Sequence, residues 1–181
     1  MRDLLVSYYG DDFTGSTDVM EALASNGIPT VLFLGIPDQA LLDRFQDCRA
    51  IGIAGTSRSE SPAWMQEHLA PAFQWLKGLQ ASICHYKVCS TFDSSPAIGS
   101  IGRVMDLSRS AFGDTAIPIV AATPALGRYC AFGNLFARSA TDGRVHRIDR
   151  HPIMSVHPVT PMHEADLARH LGAQTSMPMA A

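Results

Sequence analysis

The sequence predicts an α/β fold of three layers: a mainly parallel sheet with helices on both faces, plus an irregular strand or hairpin arm near the C-terminus. Three observations predict it. Short apolar runs alternate with helix-length segments over most of the chain. Those runs are mostly apolar, as strands covered on both faces are. The rhythm then breaks after Pro124.

The elements follow in order. Residues 4–9 are a first buried strand that stops at Gly10. Residues 17–26 carry helical spacing at Val19, Met20 and Leu23, with Asp18 near the start and Gly27 as a stop. Residues 29–34 read as a second strand, 38–45 as a short helix opened by Pro37, and 50–54 as a third strand. Ser61-Pro62, a serine cap before a first-turn proline, opens a helix that runs to Gly78. Residues 82–88 are a fourth strand, 98–112 a helix and 117–122 a fifth strand, which sets an expectation of five or six strands in the sheet. Residues 128–138 and 144–148 read as irregular strands of an arm, with Thr141-Asp142-Gly143 as its turn. Thr160-Pro161 begins a last helix ending near Leu171-Gly172. The tail then stops where another strand of the series is expected.

Composition narrows the function classes. The 181 residues suit one domain, and 46% hydrophobic against 17% charged residues describes a chain able to bury a core. A net charge of −3 without a basic run argues against nucleic acid as a partner. The apolar stretches are far shorter than the ~20 residues of a membrane span, and the N-terminus lacks a signal-peptide layout. The expected location is the cytoplasm. Cys48, Cys84, Cys89 and Cys130 show no CxxC pairing and read as reduced, mostly buried thiols. His151-Pro152 and His157-Pro158 lack supporting acidic residues or thiols, so no metal site is expected.

Parallel sheets bind ligands beyond the carboxyl ends of their strands. The first strand is followed by Gly10-Asp11-Asp12-Phe13-Thr14-Gly15, the third by Gly55-Thr56-Ser57-Arg58-Ser59. The fourth runs into Lys87 and Ser90-Thr91-Phe92-Asp93-Ser94, the fifth into Gly127-Arg128. Paired carboxylates before a helix can accept hydroxyl hydrogen bonds or take a proton from an alcohol. Equally, Asp11 or Asp12 can cap the loop while Ser16 or Thr17 caps the helix. Arg58 offers a planar fork to a carboxylate and Lys87 a point charge. Lys87 draws notice because Lys77 is the only other lysine. Ile98-Gly99-Ser100-Ile101-Gly102 places small residues at a helix start, where free amides can meet an anion. No GxxxxGK[ST] and no GxGxxG after the first strand appear, so no nucleotide site is visible.

At these residues the chain resembles the four-carbon acid-sugar kinases. The resemblance rests on Asp11-Asp12-Phe13-Thr14-Gly15 with Thr17-Asp18, Ser57-Arg58-Ser59, Lys87 with Ser90-Thr91-Phe92-Asp93-Ser94, Gly99-Ser100-Ile101-Gly102, Gly127-Arg128, Gly133-Asn134-Leu135-Phe136 and His157-Pro158-Val159-Thr160-Pro161-Met162. It implies a two-domain enzyme, of which residues 1–181 are the N-terminal sugar-acid-binding domain and the nucleotide-binding domain is absent. The acid is a threonate, erythronate or 3-oxo-tetronate, phosphorylated on a hydroxyl. Carried over, Asp12 or Asp11 is the catalytic carboxylate, with Asp12 the first choice. Arg58, Lys87, Ser90, Thr91, Asp93 and Arg128 bind substrate. ATP and Mg²⁺ belong to the complete enzyme, and none is expected on this chain alone. The partner is a nucleotide-binding domain in cis or in trans, with a homo-oligomer as a further possibility. The alternatives are a stand-alone sugar-acid sensor and an inactive truncated remnant.

Overall fold

In the computed structural model, which describes residues 3–180, the chain divides into two compact units. Residues 3–58 and 63–88 make the first, and residues 59–62 and 89–180 the second.

The first unit contains β1 (Val6–Gly10), α1 (Phe13–Ser25), β2 (Thr30–Phe33), α2 (Gln39–Asp43), β3 (Ala50–Ala54), all but the first residue of α3 (Pro62–Gly78), and β4 (Ile83–Lys87). Its four strands are parallel in the order β2-β3-β1-β4. The register sets Tyr8 beside Gly52 and Tyr9 beside Tyr86, so neighbouring residues of β1 serve opposite faces. Toward α1, the Tyr8 ring lies where a Gly52 side chain would be, since a Cβ there would fall 2.1 Å from it. Tyr8 donates its hydroxyl to the Ser16 carbonyl of α1 at 3.3 Å, and burial pushes that hydroxyl's pKa up to about 12. On the other face Tyr9 stacks on Tyr86 at 5.7 Å between centroids, and Phe73 of α3 meets Tyr86 edge-on. Leu4, Val31, Phe33, Leu42 and Ile51 continue a core to which Trp75 and Leu79 are packed. Full burial of each such side chain is worth about 1.5–3 kcal/mol.

The second unit contains α4 (Ile101–Phe112), an antiparallel sheet of β5 (Arg128–Ala131), β6 (Asn134–Arg138) and β7 (Val145–Arg147), and α5 (Leu167–Gly172). Phe132-Gly133 turns β5 into β6 with both φ angles positive, 50° and 74°, the geometry of a two-residue hairpin. Leu135, Ile148, Met162 and Leu171 are fully buried at its centre.

Five expectations need correction. The parallel sheet has four strands, because residues 117–122 form none. Pro118 removes a ladder donor, and Val120 is 84% exposed with no strand partner among the described residues. The first helix begins at Phe13, four residues early, because Asp12 caps it instead of Ser16 or Thr17. The fourth helix begins at Ile101 and not at residue 98, because Ser100 caps it. The last helix begins at Leu167, capped by Asp166, because the Thr160 hydroxyl is committed to Asp93. Finally, Cys84 and Cys130 are exposed, while Cys48 and Cys89 are half-buried. No helix among the described residues is long and apolar enough to cross a membrane.

Candidate functional site

The parallel register brings the ends of three adjacent strands level: Gly10 pairs with Ala54 on one side and Lys87 on the other. Past that line the backbone knits the three loops together. Gly55 N donates to Gly10 O at 2.9 Å, Arg58 N to Asp11 O at 3.1 Å, and Asp11 N to Lys87 O at 3.0 Å. Gly10 has to be glycine, since a Cβ would fall 2.0 Å from the Ser16 Oγ.

Three of the expected side chains meet here. Asp12 Oδ1 accepts from the Gly15 amide at 2.5 Å, and Oδ2 accepts from Arg58 Nη1 at 2.6 Å. Lys87 Nζ donates to the Val88 carbonyl at 2.8 Å. A Cβ on Gly15 would stand 3.0 Å from Asp12 Oδ1 and 3.4 Å from Lys87 Nζ, so this glycine keeps a side chain out of the space between them. Burial pushes the Asp12 carboxyl up, but the Gly15 amide, Arg58 and Lys87 together outweigh it and hold the pKa below the usual carboxylate value. Asp11 is 5% exposed and lies near Tyr86. Burial, with Asp11 adding to it, holds the Tyr86 hydroxyl well above its ordinary pKa, while Ser57 Oγ lies 2.7 Å from the Tyr86 oxygen.

The second unit carries the others. Thr91 Oγ1 donates to Asp93 Oδ1 at 2.5 Å, and Thr160 Oγ1 donates to Asp93 Oδ2 at 3.1 Å. Asp93, Thr91 and Thr160 are all buried. Ser90 is half-buried in the turn before them. Arg128 opens β5, where Nη1 donates to the Leu126 carbonyl at 2.9 Å within its own arm. The start of α4 is not open to an anion in the expected way: Arg103 N donates to Ser100 Oγ and Gly102 N to Gln174 Oε1. The two histidines of the proline-rich segment serve the backbone. His151 Nδ1 accepts from the Ile153 and Met154 amides, and His157 Nδ1 from Thr160 N. Among the described residues no three His, Cys, Asp or Glu side chains are grouped to hold a metal.

Gly15 as a spacer, the Ser57–Tyr86 contact, the bond of Thr160 to Asp93 and the contacts of His170 and Gln174 with Ser94 were not legible in the sequence. Thr160 belongs to the His157-Pro158-Val159-Thr160-Pro161-Met162 motif, which is where its signal lay. Gln174 had none, because its bonds to Gly102 and Ser94 reach 72 and 80 residues back along the chain.

Residues 6–181 match the model of a family described as the sugar-binding N-terminal domain. A 3-oxo-isoapionate kinase of Paraburkholderia graminis is 55% identical over 173 residues, covering 96% of this chain and 36% of that protein. A 3-oxo-tetronate kinase of Haemophilus influenzae is 35% identical, covering 94% of this chain and 38% of that protein. Among solved structures, a Haemophilus influenzae protein superposes with a TM-score of 0.80 at 35% identity, over 93% of this chain and 38% of that one. A domain of unknown function from Bordetella bronchiseptica, a domain-swapped dimer with bound citrate, gives 0.74 at 26% identity, over 92% of this chain and 39% of that one. The chain spans well under half the length of the relatives it matches.

Proposed function

Because the chain belongs to the sugar-binding N-terminal domain family, we propose that it holds the sugar acid for an ATP-dependent kinase. The acid is of the 3-oxo kind, a tetronate or isoapionate, and the Asp12–Arg58–Lys87 group receives it. One observation carries this reading: a carboxylate, a guanidinium and an ammonium converge at the carboxyl ends of β1, β3 and β4, around a glycine that leaves room between them.

Arg58 and Lys87 meet the substrate carboxylate, one as a fork and one as a point charge. Asp12 accepts a hydrogen bond from a substrate hydroxyl. Its lowered pKa makes it a weak base near neutral pH, so it orients that hydroxyl more than it deprotonates it. Phosphoryl transfer depends chiefly on such positioning and on charge stabilisation. Asp11, buried near Tyr86, supports the loop through its backbone. Within the second unit, Ser90, Thr91 and Asp93 are the residues assigned to the sugar acid, with Thr91 bonded to buried Asp93, and Arg128 braces its own arm.

ATP and Mg²⁺ are assigned to a nucleotide-binding portion in cis or in trans. Two observations support that assignment: the sequence has no GxxxxGK[ST] motif, and the Gly102 and Arg103 amides at the start of α4 are already engaged. The domain-swapped Bordetella relative supports self-association as a further property.

The test is a titration of 3-oxo-tetronate into the isotope-labelled chain. Amide shifts should concentrate at residues 11–15, 55–58 and 87–93. Shifts confined to other residues, or none at all, would overturn the assignment. With ATP and Mg²⁺ added, the chain alone should release no ADP, and turnover by it would overturn the division of labour.

A further inference from the structure

We propose that Gln174 is a positioning residue for the Thr91–Asp93 segment, acting through Ser94 and the backbone of Phe92. The proposal rests on the reading of Thr91 and Asp93 as part of the sugar-acid site.

Phe92 stands between Thr91 and Asp93 with φ at 54°, a conformation that a bulky residue keeps only where its surroundings impose it. Those surroundings are a chain of polar contacts. Phe92 N donates to Cys89 O at 2.9 Å, and Ser94 Oγ donates to Phe92 O at 3.0 Å. His170 Nε2 lies 2.9 Å from Ser94 Oγ, and its ring also bonds to the Phe92 backbone. Gln174 Nε2 donates to Ser94 Oγ at 2.9 Å. At its other end Gln174 Oε1 accepts from Gly102 N at 3.2 Å and Ser100 Oγ at 3.4 Å.

One amide therefore joins the start of α4 to the loop that carries Asp93. Its position is built in twice. Gly102 makes room for it, since a Cβ there would lie 2.5 Å from the Gln174 Cβ and 2.6 Å from its carbonyl carbon. Next along the chain, Thr175 Oγ1 donates to Asp106 Oδ1 of α4 at 2.6 Å and fixes the segment. Gln174 bonds to neither Thr91 nor Asp93, so its effect on a bound acid passes through the shape of the loop.

The experiment compares the wild-type chain with Gln174→Glu, Gln174→Ala and Gly102→Ala. Gln174→Glu keeps an acceptor for Gly102 and Ser100 but removes the donor to Ser94. Gly102→Ala suits a helix better than glycine, so any loss it causes comes from displacing Gln174. All three should weaken 3-oxo-tetronate binding about tenfold and speed amide exchange at residues 92–94, with β1–β4 amides and their shifts unchanged. Wild-type affinity and exchange in Gln174→Glu would overturn the proposal while leaving the function reading in place. A wild-type chain that ignores the probe would overturn the function reading, and this proposal with it.

Discussion

Asp12 combines three tasks in one carboxylate: it caps α1, pairs with Arg58 and faces Lys87. Removing Arg58 takes away both a hydrogen bond and a positive charge, leaving the burial effect less opposed. The Asp12 titration midpoint in Arg58→Ala should therefore rise toward or above the ordinary ~3.9, as carbon-detected NMR of the side chain would read. An unmoved midpoint would show that Arg58 is not what holds the charge. Arg58→Ala and Lys87→Met should each weaken 3-oxo-tetronate binding by about 1.5–3 kcal/mol, the range for a charge-assisted contact, measured by calorimetry. The aspartate pair stood out as a candidate in the sequence, because two adjacent carboxylates at a strand end exceed what capping needs. Which of them faces outward was not legible. The β-strand register decides it, burying Asp11 and leaving Asp12 at the helix start.

Among the elements, β3 and α3 were readable to their ends, and β1 and β2 to within two residues, because parallel strands of the sheet are largely apolar runs bounded by turn residues; β4 was as readable, although it lies at the sheet edge with Ile83 exposed. The start of α1 was not readable from hydroxyl residues. Ser16 and Thr17 bond back to the Asp12 and Thr14 carbonyls inside the helix instead of capping it. The fifth strand failed for the opposite reason, since an apolar run with Pro118 carries β-propensity without a ladder. Gly52 tests how tightly an element can be specified: Gly52→Ala would press a methyl into the Tyr8 ring. Overpacking of this kind should cost about 1–3 kcal/mol, seen as a lowered denaturation midpoint. His85, His151 and His170 are each held below the ordinary histidine pKa, chiefly by burial. Groups depressed in the fold bind protons more readily when unfolded, so stability is fully present above about pH 6.5 and declines as pH falls below it. Denaturant titrations at pH 7.5 and 5.5 should show that loss, and equal midpoints would exclude it.

At the scale of the whole molecule, the second unit has a feature that its own core does not explain. Phe132 is 100% exposed and sits at φ 50°, so it bears both the exposure of a large aromatic ring and the strain of a left-handed side-chain residue. Gly133 beside it supplies the other positive φ, and a hairpin turn of this kind favours Asn at the Phe132 position. Nothing in the sequence reading singled this phenylalanine out, because exposure and backbone hand become visible only once β5 and β6 are paired. If self-association uses this tip, Phe132→Asn should separate folding from assembly. The variant relieves the strain and removes the exposed ring, so its denaturation midpoint should hold or rise. On that premise, its weight-average mass by sedimentation equilibrium should lie nearer 19.5 kDa than that of the wild type at equal concentration. A variant that associates as strongly as the wild type would move the contact to another surface. One that melts earlier would show instead that the ring supports the hairpin.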